Sequence, residues 1–187
     1  MKIIFSLLIL VPMVTLVLSC TMNRQTQVVE RSKKDAPSWI EQPSLELRDN
    51  DAARQMLMVR KEMRDLPLAI KQTQFQALAN MKRQLLDSLA DPVRGRLAEG
   101  GDNIAAKKEL DALLEELGRN EIWHQVRVED IYYETLASQG PITGDAKSTH
   151  NVYVLVRMAN EDYQRLVSLF QSLLGRAKTA ELNQIDI

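Results

Sequence analysis

The chain has 187 residues and is close to electroneutral, with 24 Lys and Arg against 25 Asp and Glu. With no basic excess there are few counterions to release, so composition makes no case for a nucleic-acid partner. One cysteine excludes an intrachain disulfide and any zinc or iron–sulfur site built on cysteine.

The N-terminus carries the clearest signal. Lys2 gives a basic start, and Ile3 to Ser19 is almost wholly apolar, interrupted by Ser6, Pro12 and Thr15. Charged start, apolar core and small residue before a cut make the layout of a signal peptide. The core is 17 residues, short of the roughly 20 that a spanning helix needs, and Pro12 interrupts it further. An uncleaved span and ordinary secretion are the alternatives. Val17-Leu18-Ser19-Cys20 resembles the bacterial lipobox: an aliphatic residue, a permissive one, a small one, then cysteine. That resemblance implies a diacylglycerol on the Cys20 thiol, cleavage before Cys20 and acylation of the new amine. It makes the covalent lipid on Cys20 the only expected prosthetic group, with no other cofactor and no metal. By the same resemblance Thr21, where enteric-type lipoproteins retained at the inner membrane carry aspartate, implies an outer-membrane address.

Cutting the first 19 of 187 residues leaves 168, with 23 basic against 25 acidic side chains once Lys2 is gone. That length suits one domain and a linker. The expected organisation is a signal peptide over 1–19, a lipidated cysteine and flexible tether over 20–38, one domain over 39–175 and a frayed polar tail over 176–187. Thr21 to Ser38 has no sustained apolar period, and its 18 residues would reach at most ~60 Å at ~3.4 Å per residue. Arg31, Lys33 and Lys34 form a small basic cluster within it. Trp39, after Pro37, should pack onto the domain or offer a ligand platform.

Residues 49–66 are ambiguous between a helix (Ala52, Met56, Val59, Met63, Leu66) and a buried strand around Met56–Val59. Pro67 suits the first turn of a helix whose stripe is Phe75, Leu78, Met81, Leu85 and Leu89. Asp91-Pro92 should end it. After Gly100-Gly101, Asp102 should cap a second helix carrying Ala106, Leu110, Leu113, Leu114 and Leu117, with Gly118 left-handed at its end. Trp123 to Glu134 reads as a strand with a bulge before Ile131. His150 to Met158 alternates cleanly, and the turn-rich stretch 139–145 should join the two as an antiparallel hairpin. Asn160 should cap a last helix with Tyr163, Leu166, Val167, Phe170, Leu173 and Leu174 buried, closed by Gly175.

The order of these pieces resembles the twenty-kilodalton surface-antigen lipoprotein family of Gram-negative bacteria, the Lpp-twenty family. The resemblance rests on the lipobox cysteine, the entrance Ala36-Pro37-Ser38-Trp39-Ile40 and the strand Gln55–Met63 leading into the helix Pro67–Leu89. It rests also on a strand ending in tyrosines (Val126–Tyr133) and the closing Tyr153–Arg157 strand leading into Tyr163. The family's first strand usually ends Val-Gly, whereas Val59 here precedes Arg60. The resemblance tips residues 55–62 toward strand. It implies an α+β domain: a small antiparallel sheet of about three strands with two or three helices packed on one face. That fold recurs in flagellar ring-associated periplasmic proteins. The family implies an envelope lipoprotein without established catalysis.

Motifs for chemistry are sparse. His124 and His150 both lie in strand-like runs without a partner at ligand spacing. No G-x-S-x-G, H-E-x-x-H or phosphate-cradling loop occurs. Glu115-Glu116 and Glu129-Asp130 are sequence neighbours that point apart and read as solvated. Trp39, Tyr132 and Tyr133 are the candidate binding surface, weighed against packing at a core edge. Three functions compete: a non-enzymatic outer-membrane lipoprotein contacting protein or peptidoglycan, an assembly factor of an envelope machine such as the flagellar apparatus, and a hydrolase with scattered catalytic residues.

Overall fold

The structure is a computed structural model that describes residues 26–50, 52–100, 103–138 and 147–183. The lipobox residues Val17, Leu18 and Ser19, Cys20, the expected cap Asp102 and the loop 139–145 lie outside them. The protein is α+β, with five antiparallel strands in the order β1-β4-β5-β3-β2. These are β1 (Thr26–Arg31), β2 (Leu47–Asp49), β3 (Ala53–Met63), β4 (Arg127–Ser138) and β5 (Lys147–Ala159). The sheet is larger than the expected three strands because both edges come from stretches with no apolar alternation. β1 is nearly all exposed and falls within the expected tether. It is held by its ladder to β4, from Thr26↔Ser138 to Arg31↔Glu134. Backbone pairing places such a strand without help from side-chain pattern.

β4 and β5 pair as the expected hairpin, with a register shift between Val128 and Asp130 where a bulge was expected. The ambiguous stretch is strand β3, paired with β5 along most of its length. Its register shifts between Arg60 and Met63, where Glu62 takes φ 59°. Val152, Val154, Val156 and Met158 are buried on one face of β5 together with Met56 and Met58 of β3. That alternation is the sheet half of the core.

Helices α1 (Leu66–Glu99), α2 (Ile104–Gly118) and α3 (Asn160–Leu174) close this face, and a short α4 (Ala180–Asn183) follows. α1 runs 34 residues, straight through Pro92, rather than ending at Asp91. Val93 and Leu97 are buried beyond the proline, so apolar packing outweighs the lost N–H. Met81, Leu85 and Leu89 of the expected stripe are buried and Leu78 packs against the core, but Ala69, Thr73 and Ala77 continue the stripe toward the N-terminus where Phe75 was expected, and Phe75 is 75% exposed. Small residues let the helix sit close to the sheet, and Thr73 satisfies its buried hydroxyl on Ala69 O at 2.6 Å.

The helix ends also differ in detail. Asn103, not Asp102, caps α2 through Ala106 N. Gly118 is helical, and its carbonyl accepts from Lys82 Nζ of α1. A Cβ there would stand 3.8 Å from Leu86 Cδ1, an ordinary contact, so packing does not require glycine at this position. Asn160 is the first residue of α3 rather than its cap; its amide donates to Asn50 O at 2.9 Å. Of the expected α3 stripe, Leu166, Phe170, Leu173 and Leu174 are buried, and Tyr163 and Val167 are half-buried against the core. Trp123 and His124 sit in a 3-10 turn, Glu121–Gln125, ahead of β4. The C-terminal stretch docks instead of fraying: Ala177 and Leu182 are buried. Glu109 accepts from Lys178 N at 2.6 Å and from Thr179 N at 2.9 Å, tying the residues before α4 to α2.

Candidate functional site

β1 and β2 are opposite edges of the sheet, so the connection 32–46 must cross it. It does so over the face away from the helices. Leu57 and Leu155 are directly opposite each other and buried to 1% and 4% exposure. They point away from the helix-side core because they alternate with Met56, Met58, Val154 and Val156. The strap lands where Leu45 N donates to Leu57 O at 2.7 Å.

Asp130 of β4 pins the strap from beneath. Its carboxylate accepts Lys33 Nζ at 2.5 Å, Trp39 Nε1 at 3.1 Å and the Ile131 N–H at 2.8 Å. Partial burial pushes this carboxyl up, but the hydrogen bonds from Lys33, Ile131 and Trp39 and the lysine charge outweigh it. They hold Asp130 below its ordinary range. Two residues on, Tyr132 is fully buried and donates to Glu134 at 2.9 Å; Glu134 in turn pairs with Arg31 of β1 at 3.6 Å. Burial, then the bond to Glu134 and its charge, push the Tyr132 phenol up to about 12. Tyr153 lies beside it, ring centroids 5.7 Å apart, and burial followed by the Glu134 charge raises it too.

The three candidate binding residues therefore do not share a face. Trp39 and Tyr132 belong to the strap side, whereas Tyr133 packs against the helix-side core. Adjacent strand residues must diverge in this way. The pair Glu129-Asp130 is engaged: Glu129 accepts from Gln55 at 2.7 Å and pairs with Arg157 at 3.4 Å. Glu115 and Glu116 are exposed as expected. Sequence reading missed the partnership of Lys33, Arg31, Asp130 and Glu134, whose only trace was the basic cluster in the supposed tether.

On the helix side His150 meets Thr135. The Thr135 hydroxyl donates to Glu30 at 3.2 Å and lies 3.1 Å from His150 Nδ1. A hydroxyl has one proton, so His150 must donate from Nδ1. Nucleophile–base–acid catalysis needs histidine in the middle; here the 6%-exposed threonine is. Among the described residues no group of three His, Cys, Asp or Glu could hold a metal ion.

Concavities also lie elsewhere. One of about 320 Å³ opens between Arg127, Glu129, Arg157 and Asp162, and its charges are balanced two against two. A more apolar groove of about 560 Å³ runs between Ile122 and Leu169. No helix among the described residues is long and apolar enough to cross a membrane. No family model, curated protein or solved structure matches the chain.

Proposed function

We propose that the chain is a non-enzymatic lipoprotein of a Gram-negative envelope. Acylated Cys20 anchors it at the outer membrane, and it acts by contacts with envelope protein or peptidoglycan. The observation that carries this reading is Val17-Leu18-Ser19-Cys20 closing an apolar N-terminal segment. One acyl chain anchors marginally, at about 0.8 kcal/mol per buried methylene, while two or three hold firmly. Two structural facts support it. β1 begins at Thr26, so the spacer is only residues 21–25 and keeps the domain within about 20 Å of the anchor at ~3.4 Å per residue. The groups with the most perturbed chemistry, Asp130 and Tyr132, bond to Lys33, Trp39 and Glu134 rather than standing as free acids or bases.

The test is labelled-palmitate incorporation and membrane fractionation of the full chain beside Cys20→Ala. The reading expects label in the outer-membrane fraction for the wild type, and none for the variant, which should leave that fraction. Equal membrane retention of both forms without label would refute it.

A further inference from the structure

One face of the first turns of α1 is left uncovered by the other described elements. Leu68 is 49% and Phe75 75% exposed. They are seven residues apart, so both lie on one side of the helix about 10 Å apart. Lys71, Ala79 and Arg83 are exposed and, with Leu68 and Phe75, fall at spacings of three and four along the same side. From Leu66 to Leu86 the helix has three basic residues, Lys71, Lys82 and Arg83, and no acidic one. In a chain whose total charge is −1, this is a local positive excess. α2 reaches α1 only further along at Lys82 and Leu86, around Gly118.

The topology fixes where this face lies relative to the anchor. Thr26 of β1 pairs with Ser138, at the hairpin end of β4. His150, near the start of β5, pairs with Met63 at the end of β3. α1 starts three residues after Met63. The start of β1 and the start of α1 therefore stand at the same end of the sheet. Five spacer residues allow that end no more than about 20 Å of freedom from the lipid on Cys20.

We infer that the outer face of the first half of α1 rests on the membrane that Cys20 enters, with Leu68 and Phe75 in the headgroup layer and Lys71 and Arg83 against anionic lipid. This rests on the lipoprotein reading. Large apolar residues flanked by Lys and Arg on one helix face are the composition of an interfacial helix, which sinks ~5–10 Å into the boundary region. Alone this patch is small; the lipid anchor makes its contact with the surface nearly intramolecular. The anchored domain is then held in one orientation, with its helical end and strap accessible.

The test uses the full acylated chain carrying Phe75→Cys labelled with bimane, in vesicles of phosphatidylethanolamine with or without phosphatidylglycerol. Glu115→Cys on α2, labelled alike, is the control. Palmitate incorporation at Cys20 is checked first, and its absence would overturn the anchor and this surface together. With the acyl chain present, the proposal expects a blue shift of the F75C label and its quenching by brominated lipid. Both should be stronger with phosphatidylglycerol, weakened by salt and absent at E115C. A water-exposed, unquenched F75C label on acylated protein would overturn the proposal and leave the anchor standing. A blue shift already present without vesicles and growing with protein concentration would also overturn it, in favour of a second copy on this face.

Discussion

Asp130 is the residue on which the strap depends. It takes a lysine, an indole and a backbone N–H, and hydrogen bonds to a charged group are worth ~1.5–3 kcal/mol when the group is not fully solvated. Asp130→Ala should therefore lower stability by about 1–3 kcal/mol, read as a fall in the urea midpoint at unchanged slope. An unchanged midpoint would mean that the strap contributes nothing. The folded pKa of Asp130 is depressed, so the folded state releases its proton more readily. Its contribution is complete above the unfolded value of about 3.9 and is lost as pH falls through the folded value. The pH dependence of stability below about 4 should accordingly flatten in Asp130→Asn. Tyr132 has the opposite sign. Its folded pKa is raised to about 12 from 10.0, so its contribution is full below about pH 10 and is lost as pH climbs toward 12. Tyr132→Phe should delete the last phenolate step from an ultraviolet titration; an unchanged profile would refute the assignment. The sequence named Trp39 and Tyr132 but could not show that Asp130 and Glu134 hold them. Pairings between residues 91 apart, as in Trp39–Asp130, leave no local pattern.

At the level of elements, legibility followed side-chain volume. β5 was readable because Val152, Val154, Val156 and Met158 alternate with larger or polar neighbours. α2 and α3 were readable because their buried positions are mostly leucines. α1 was read correctly at Met81, Leu85 and Leu89 but not in its first turns, because Ala69, Thr73 and Ala77 carry little hydrophobic signal, while Phe75, the largest apolar residue nearby, faces out. β1 was missed because an edge strand held by its ladder needs no apolar alternation. α4 was missed because Glu109, which holds the residues just before it, comes from another helix. Pro92, itself exposed, deprives α1 of one backbone bond. Pro92→Ala should raise stability by about 1–2 kcal/mol, below the ~3 kcal/mol full cost of an interior proline. That corresponds to roughly 2–8 °C in Tm for a domain of this size. A lower Tm would mean that the packing of Val93 and Leu97 depends on a bend at Pro92. In the buried stripe, Leu85→Ala should cost about 2–5 kcal/mol through cavity formation, measured by the same unfolding. A loss below about 1 kcal/mol would show that this part of the core collapses readily.

The whole molecule is a sheet covered on both sides, by helices on one and by a strap on the other, with its hairpin end at the point where the chain runs toward Cys20. The family resemblance led to an α+β domain but to a smaller sheet, since the strand borrowed from the supposed tether could not be seen in a polar stretch. That strand leaves five residues, 21–25, between Cys20 and the sheet in place of an 18-residue tether, so the proposed lipid would hold the domain close. The account stands on that lipid. The most direct measurement is the intact mass of the protein extracted from membranes, beside Cys20→Ala. A mass equal to residues 20–187 plus acyl chains, lost in the variant, is what the account predicts. A mass that retains residues 1–19 and carries no lipid would contradict it.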